Sequence, residues 1–307
     1  MRCCARLETE VRRRVGADAA VRENLLRRSQ SGGPIASGSP LLMLKSKRQL
    51  GIAACIAVAA TVIVVGLIGR ANLLSSHRDR MDEFPGLILW AWERPEHLNF
   101  IDPREIGVAF LARTLRLRGD DVIVRTRHQP LDVPPNTQLM AVVRIEPDYD
   151  SHVSLSAGLR SQILASIVEL ARTTSISAIQ IDFDARDSER QFYRETLTQL
   201  RLQLPPLVRL SITALASWCT YDTWIGDLPI DEAVPMLFRM GKDARMIENF
   251  LKSGNDFSVD VSRQSVGIST DEPIETLPKR RRIYVFSPKP WTEEAVKQVI
   301  QETQRWR

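Results

Sequence analysis

Residues 177–190 read SAIQIDFDARDSER, and the fold turns on how Ala178 to Asp184 are taken. Side chains alternate faces along a strand, so this stretch sends Gln180, Asp182 and Asp184 one way and Ile179, Ile181 and Phe183 the other. The isoleucines and the phenylalanine suit a hydrophobic layer. The opposite face lines up an amide and two carboxylates where a second core would be expected. Such a row is either a set of structural ion pairs or a chemical site at the end of a strand.

Seven more short apolar runs surround it: GLILWAW (86–92), DVIVRT (121–126), QLMAVVRIE (138–146), VRLSITALA (208–216), EAVPMLF (232–238), SVGIS (265–269) and RIYVFS (282–287). Helical patterns over 103–118, 156–174, 187–203, 242–252 and 292–305 separate most of them. Eight strand candidates interleaved with helices over about 220 residues predict an α/β fold, a (β/α)8 barrel of the TIM type, whose usual length is ~250 residues. A doubly wound open sheet would want a Gly-rich phosphate loop after its first strand. The stretch WAWERPEHLNF contains no glycine, and no Walker-type loop occurs in the chain.

Barrel enzymes place their chemistry at the C-terminal ends of the strands. Here those ends hold Trp90, Trp92 and Glu93; Arg125 and Arg127; Arg144 and Glu146; and then Asp182 and Asp184. The later strands contribute Thr213, Ser217 and Trp218; Met236, Phe238 and Arg239; Asp271 and Glu272; and Ser287, Lys289 and Trp291. If Glu93 points inward with Ala91, Trp90 and Trp92 turn outward toward the helices. That leaves Trp218 and Trp291, placed in loops, as the stacking surfaces.

The net charge of +5 is unevenly spread. Residues 1–50 carry eleven Lys/Arg and four acids, an excess of +7, which leaves −2 for residues 51–307. A nucleic-acid binder would show a basic face on its folded domain, so nucleic acid is set aside. Cys3, Cys4, Cys55 and Cys219 have no zinc-ligand spacing, and the four histidines are scattered. No metal site and no cofactor are expected.

Residues 51–69, GIAACIAVAATVIVVGLIG, form nineteen residues without a charge. That length crosses a hydrocarbon core of ~30 Å at ~1.5 Å per residue. KSKR (45–48) precedes it, so the positive-inside rule keeps the N-terminus cytoplasmic and the rest outside. GRANLLSS offers no clean cleavage site, which favours an uncleaved anchor. The expected organisation is a disordered basic tail (1–44), a single transmembrane signal-anchor helix (45–70), a linker (71–83) and the barrel (84–307). Met43 stands ahead of a basic stretch in the manner of a start, in which case residues 1–42 are not translated. The expected location is the inner membrane, single-pass, with the barrel in the periplasm.

The stretch SAIQIDFDA resembles the fourth-strand signature of the chitinase-like glycosidases, glycoside hydrolase family eighteen, Asp-Gly-x-Asp-x-Asp-x-Glu. Laid on it, Ser177 takes the first Asp, Ala178 the Gly, Gln180 the second Asp, Asp182 the third and Asp184 the Glu. In that family the final carboxylate is the general acid and the third Asp holds the substrate acetamide. Only the third Asp is kept here, and the acid is one methylene shorter. VPMLFRM is similar to the family's Met-containing sixth strand, and Trp291 falls near its sugar-stacking Trp. Over residues 84–300 the chain more closely resembles a bacterial barrel family of unknown function, through LWAWERPEHL, IQIDFDARDSERQFY and LSITALASWC.

Glycoside hydrolysis uses a proton donor and a second carboxylate, ~5–5.5 Å apart in retaining enzymes and ~6.5–9.5 Å apart in inverting ones. Neighbouring like charges raise at least one pKa, which suits an acid held protonated near neutral pH. Asp184 is the expected acid and Asp182 the nucleophile or orienter, with Glu93 and Glu146 as alternative second carboxylates. Gln180, Arg125, Arg144, Thr213, Trp218, Arg239 and Trp291 are the expected substrate-binding residues. The expected partner is a polysaccharide or the glycan of peptidoglycan. The competing expectations are a barrel that binds such a glycan without cleaving it, and a row in which Arg125 and Arg144 merely neutralise the aspartates.

Overall fold

The computed structural model describes residues 81–306; the expected tail and anchor over 1–70 lie outside them. Among the described residues no helix is long and apolar enough to cross a membrane. The strands are β1 Leu87–Ala91, β2 Glu96–His97, β3 Ile106–Arg118, β4 Asp121–Thr126, β5 Leu131–Asp132, β6 Leu139–Pro147, β7 Ala178–Asp182, β8 Arg209–Leu215, β9 Glu232–Met236, β10 Ser265–Ser269 and β11 Arg282–Phe286. The helices are α1 Ala157–Thr173, α2 Arg190–Gln203, α3 Ala216–Thr220, α4 Ala244–Lys252 and α5 Glu293–Thr303. Eight strands pair side by side in the order β1, β11, β10, β9, β8, β7, β6, β3. All these pairings are parallel, and β3 pairs again with β1 to close the barrel.

The second barrel strand corrects the sequence expectation. Residues 103–118, expected as a helix, contain β3 instead. A bulge between Leu111 and Arg113 inserts a residue and shifts the register with β6. The period-two pattern Ile106, Val108, Phe110 therefore changes phase midway, and the whole segment no longer reads as a strand. DVIVRT is β4, which is not a barrel strand. It folds back antiparallel on the outer half of β3, across a turn in which Gly119 has φ of 59°. A side chain at that φ is strained, so glycine fits the turn.

Two layers of apolar residues follow from the alternation. Leu87, Leu89 and Ala91 join Ile179, Ile181 and Phe183 in the shell between barrel and helices. Ile88, Trp90, Met140, Val142, Val234 and Tyr284 fill the barrel itself. Each fully buried side chain of this size contributes roughly 1.5–3 kcal/mol. The helices that cover the shell start where capping chemistry permits. Ser156 Oγ accepts from the Leu159 amide at 3.1 Å at the head of α1, and Thr292 Oγ1 from Ala295 at 3.2 Å at the head of α5. Such caps contribute about 0.5–2 kcal/mol each.

The barrel interior also holds a buried polar chain. Glu232 pairs with Arg282 at 2.6 Å and accepts from the Tyr284 hydroxyl at 2.6 Å and from Ser211 Oγ at 3.2 Å. Gln180 donates to Ser211 Oγ at 3.1 Å and accepts from Trp90 Nε1 at 2.9 Å. These contacts satisfy polar groups that burial alone would make costly. They tie the start of β9 to Trp90, just below the barrel mouth.

Candidate functional site

Above Trp90, the C-terminal ends of the strands enclose a cleft of about 260 Å³. Asp182, Asp184 and Arg144 form one side of it. These three also line an adjoining open hollow of about 360 Å³, with Arg116, Glu146 and Tyr149. Arg144 stands beside Asp182 because β6 and β7 pair in that register. Arg144 Nε lies 2.7 Å from Glu146 and 3.8 Å from Asp182, so most of its charge is directed at Glu146. Asp182 keeps 14% of its side chain exposed and accepts from Thr213 Oγ1 at 2.7 Å. Asp184, two residues further, is exposed in the cleft. Neither of the two arginines named above as neutralisers forms an ion pair with it.

The electrostatics separate the two acids from ordinary aspartates. Removal from water pushes Asp182 up to about 6; the Thr213 hydrogen bond pulls down, Asp184 adds to the rise, Arg144 opposes it and Glu146 adds a little. Asp184 is also raised, by lost hydration against the cleft wall, with Arg144 working against the rise. Both carboxyls therefore exchange protons closer to neutral pH than a free aspartate does.

Aromatic rings make the floor and far wall. Trp92 meets Phe286 edge to face with centroids 6.0 Å apart, and Phe286 stacks on Phe238 at 5.8 Å with 2° between planes. Arg144 lies 5.8 Å over Trp92, and Arg239 lies 5.3 Å over Phe286. Arg239 adopts φ of 52°; its amide donates to Glu272 at 2.7 Å and its guanidinium to Asp271 at 3.1 Å. Gly267 leaves room for the floor, since a Cβ there would sit 2.8 Å from Trp90 Cη2.

The expected site residues divide. Asp182, Asp184, Arg144, Thr213 and Arg239 meet in the cleft. Glu146 faces the adjoining hollow and is bound to Arg144. Glu93 and Arg125 pair with each other in a separate hollow beside β4, because β4 stands outside the barrel ring. Gln180 is wholly buried beneath Trp90 and touches no open space.

The tryptophans reverse the expectation. Trp218 is 2% exposed, packed in α3 against Trp224 at 5.1 Å. Trp291 is 4% exposed; its Nε1 donates to the Trp90 carbonyl at 2.9 Å and its amide to buried Glu96 at 2.9 Å. Both are structural and offer no face to a ligand. Trp90 and Trp92, expected to point outward, line the cleft instead. Glu93 lies past the end of β1 at Ala91, so its direction does not fix the phase of the strand. Leu215, Met240, Asp243, Ile247 and Phe286 complete the cleft. Of these, only Phe286 carried a signal, through its alternation with Tyr284.

Residues 136–234, which include Arg144, Asp182, Asp184 and Thr213, match the model of a family described as a domain of unknown function, DUF3142. No curated protein matches the chain. Among solved structures the chain is similar to a chitinase from Rhizomucor miehei, with 9% identity over 60% of this chain and 68% of that one and a TM-score of 0.41. It is similar to the spore cortex-lytic enzyme SleL of Bacillus cereus, with 15% identity over 59% of this chain and 50% of that one and a TM-score of 0.37. It is also similar to the catalytic domain of a family GH18 chitinase from the fern Peteris ryukyuensis, with 14% identity over 71% of this chain and 98% of that one and a TM-score of 0.47.

Proposed function

We propose that the barrel cleaves a glycan, with Asp184 as proton donor and Asp182 as the second carboxylate. The observation that carries this reading is geometric: an exposed Asp184 that forms no ion pair with Arg125 or Arg144 lines the cleft two residues from a largely buried Asp182 held by Thr213. Asp184 passes its proton to the glycosidic oxygen as the bond to the anomeric carbon breaks. Asp182, ionised and held by Thr213, stabilises the positive charge that develops on the sugar ring. Water then supplies the oxygen at the anomeric carbon and returns a proton to Asp184. The rings of Trp92, Phe238 and Phe286 supply apolar faces for sugar rings. We further propose that residues 51–69 hold the barrel at the outer side of the inner membrane, facing the glycans of the cell envelope.

A second reading is a barrel that binds such a glycan without turnover. The engagement of Glu146 by Arg144 favours it, because an ion-paired Glu146 is withdrawn from service as a second carboxylate beside Asp184. The two readings part in one experiment. The full chain and its Asp184→Asn variant are assayed against bacterial polysaccharides and peptidoglycan, following binding and product release separately. Cleavage by the native chain, reduced 10²-fold or more in the variant with binding kept, is the expected result. Binding without product in either protein would overturn the enzyme reading and leave the binder.

A further inference from the structure

We infer that the glycan carries an apolar substituent, an alkyl or acyl chain, that lies in the half of the cleft walled by Leu215, Ala216, Met240 and Ile247; this rests on the reading of the aspartates as a glycan site. The cleft is chemically divided at Asp184. On the β6 side, Arg116, Glu146 and Tyr149 offer charge and hydroxyl groups. On the β8 and β9 side, those four residues and Met236 present hydrocarbon and thioether surface; the polar groups beside them are Thr213, already bonded to Asp182, and Ser217, Arg239 and Asp243.

A sugar ring placed against this second wall would lose water from its hydroxyls without regaining partners, at about 1–3 kcal/mol for each. An alkyl chain carries no such cost. The two methionines add flexible, polarisable surface that adapts to chains of differing shape. Leu215 is 37% exposed at the lip. Tyr221 is exposed; lost hydration raises the pKa of its hydroxyl, and the Asp243 carboxyl beside it adds to the rise. Met246 follows one helical turn after Asp243 and is exposed as well. Exposed apolar side chains beside an apolar pocket suit an alkyl chain, whereas a short glycan needs none of them.

The test uses the full chain in lipid nanodiscs, titrated with methyl, propyl and pentyl β-glucoside, chains too short to partition strongly into lipid. Affinity is expected to rise about fourfold per added methylene from propyl to pentyl. Leu215→Asp, and independently Met240→Glu, should flatten that rise to less than twofold. Equal binding of propyl and pentyl glucosides by the native chain would overturn the inference, as would an unchanged slope in both variants. Failure of the enzyme reading looks different. If the slope is present but no glycan is cleaved, the apolar wall stands and Asp184 loses its role; if glycans are cleaved while the slope is flat, only the wall is lost.

Discussion

Replacing Asp182 by Asn tests whether burial sets the chemistry of the strand-end pair. The carboxyl moves from its usual 3.8 to about 6 in the folded barrel. Between those values the folded chain holds a proton that the unfolded chain has released. Stability from this group is therefore complete below about pH 4 and is lost as pH rises through about 6. At ~1.4 kcal/mol per pH unit, the displacement corresponds to on the order of 3 kcal/mol of destabilisation once Asp182 is ionised. The substituted asparagine has nearly the same shape, can still accept from Thr213, and never ionises. The Asp182→Asn variant should accordingly be more stable than the native chain by on the order of 3 kcal/mol at pH 8 and nearly equal to it at pH 4. Urea denaturation of both full chains at unit pH intervals, followed by tryptophan fluorescence, measures the difference. A gap that does not change with pH would refute the reasoning, and so would a variant less stable than the native chain at pH 8.

Two further perturbations address the support beneath the cleft. Glu232→Gln removes the negative charge that balances buried Arg282 at 2.6 Å and should cost about 3–5 kcal/mol in denaturant stability, part of it recovered when Arg282→Met is added. An unaltered midpoint for the single variant would show that the buried pair is not coupled as the geometry implies. Gly267→Ala puts a methyl 2.8 Å from Trp90 Cη2 and should cost about 1–3 kcal/mol while displacing the indole. A normal fluorescence spectrum with normal stability would mean that the floor gives way freely.

The sequence made β7 legible because Ile179, Ile181 and Phe183 keep a clean period of two beside three polar residues. The same rule failed at β3, where a single inserted residue near Ala112 moved Leu115 and Leu117 onto the phase opposite to a simple count from Ile106. A bulge has no composition of its own, so a window spanning it averages two correct strand patterns into a helical one. At β1 the error lay in the choice of anchor residue. Glu93 belongs to the bend after Ala91, and a charged residue beyond a strand's end says nothing about the strand's phase. Leu87 and Leu89 against Trp90 and Trp92 left both faces apolar, so hydrophobicity could not choose between them. Trp218 and Trp291 failed for a different reason: residues near a barrel mouth can pack inward, as Trp218 does against Trp224 in α3 and Trp291 does with its indole N–H on the Trp90 carbonyl. Glu96, which fixes the Trp291 amide, lies 195 residues away from it.

Whether two aligned carboxylates can pair with arginines depends on where the strand pairing stops. The last register pair between β6 and β7 is Arg144 with Asp182. On the other flank the last pair is Ile181 with Ile212, and Thr213 reaches forward to bond Asp182. Asp182 thus has a neighbour on each side, and Asp184, two residues beyond the ladder, has neither. A row built for ion pairing would set each acid within the register, where an arginine on the next strand lies directly beside it. Here Arg144 is instead turned toward Glu146, two residues along its own strand. That choice lowers the positive potential at Asp184 and leaves its carboxyl raised by lost hydration. The end of the ladder therefore leaves one repeat of the same residue type in two different surroundings, Asp182 held by Thr213 and Asp184 beyond the paired strands.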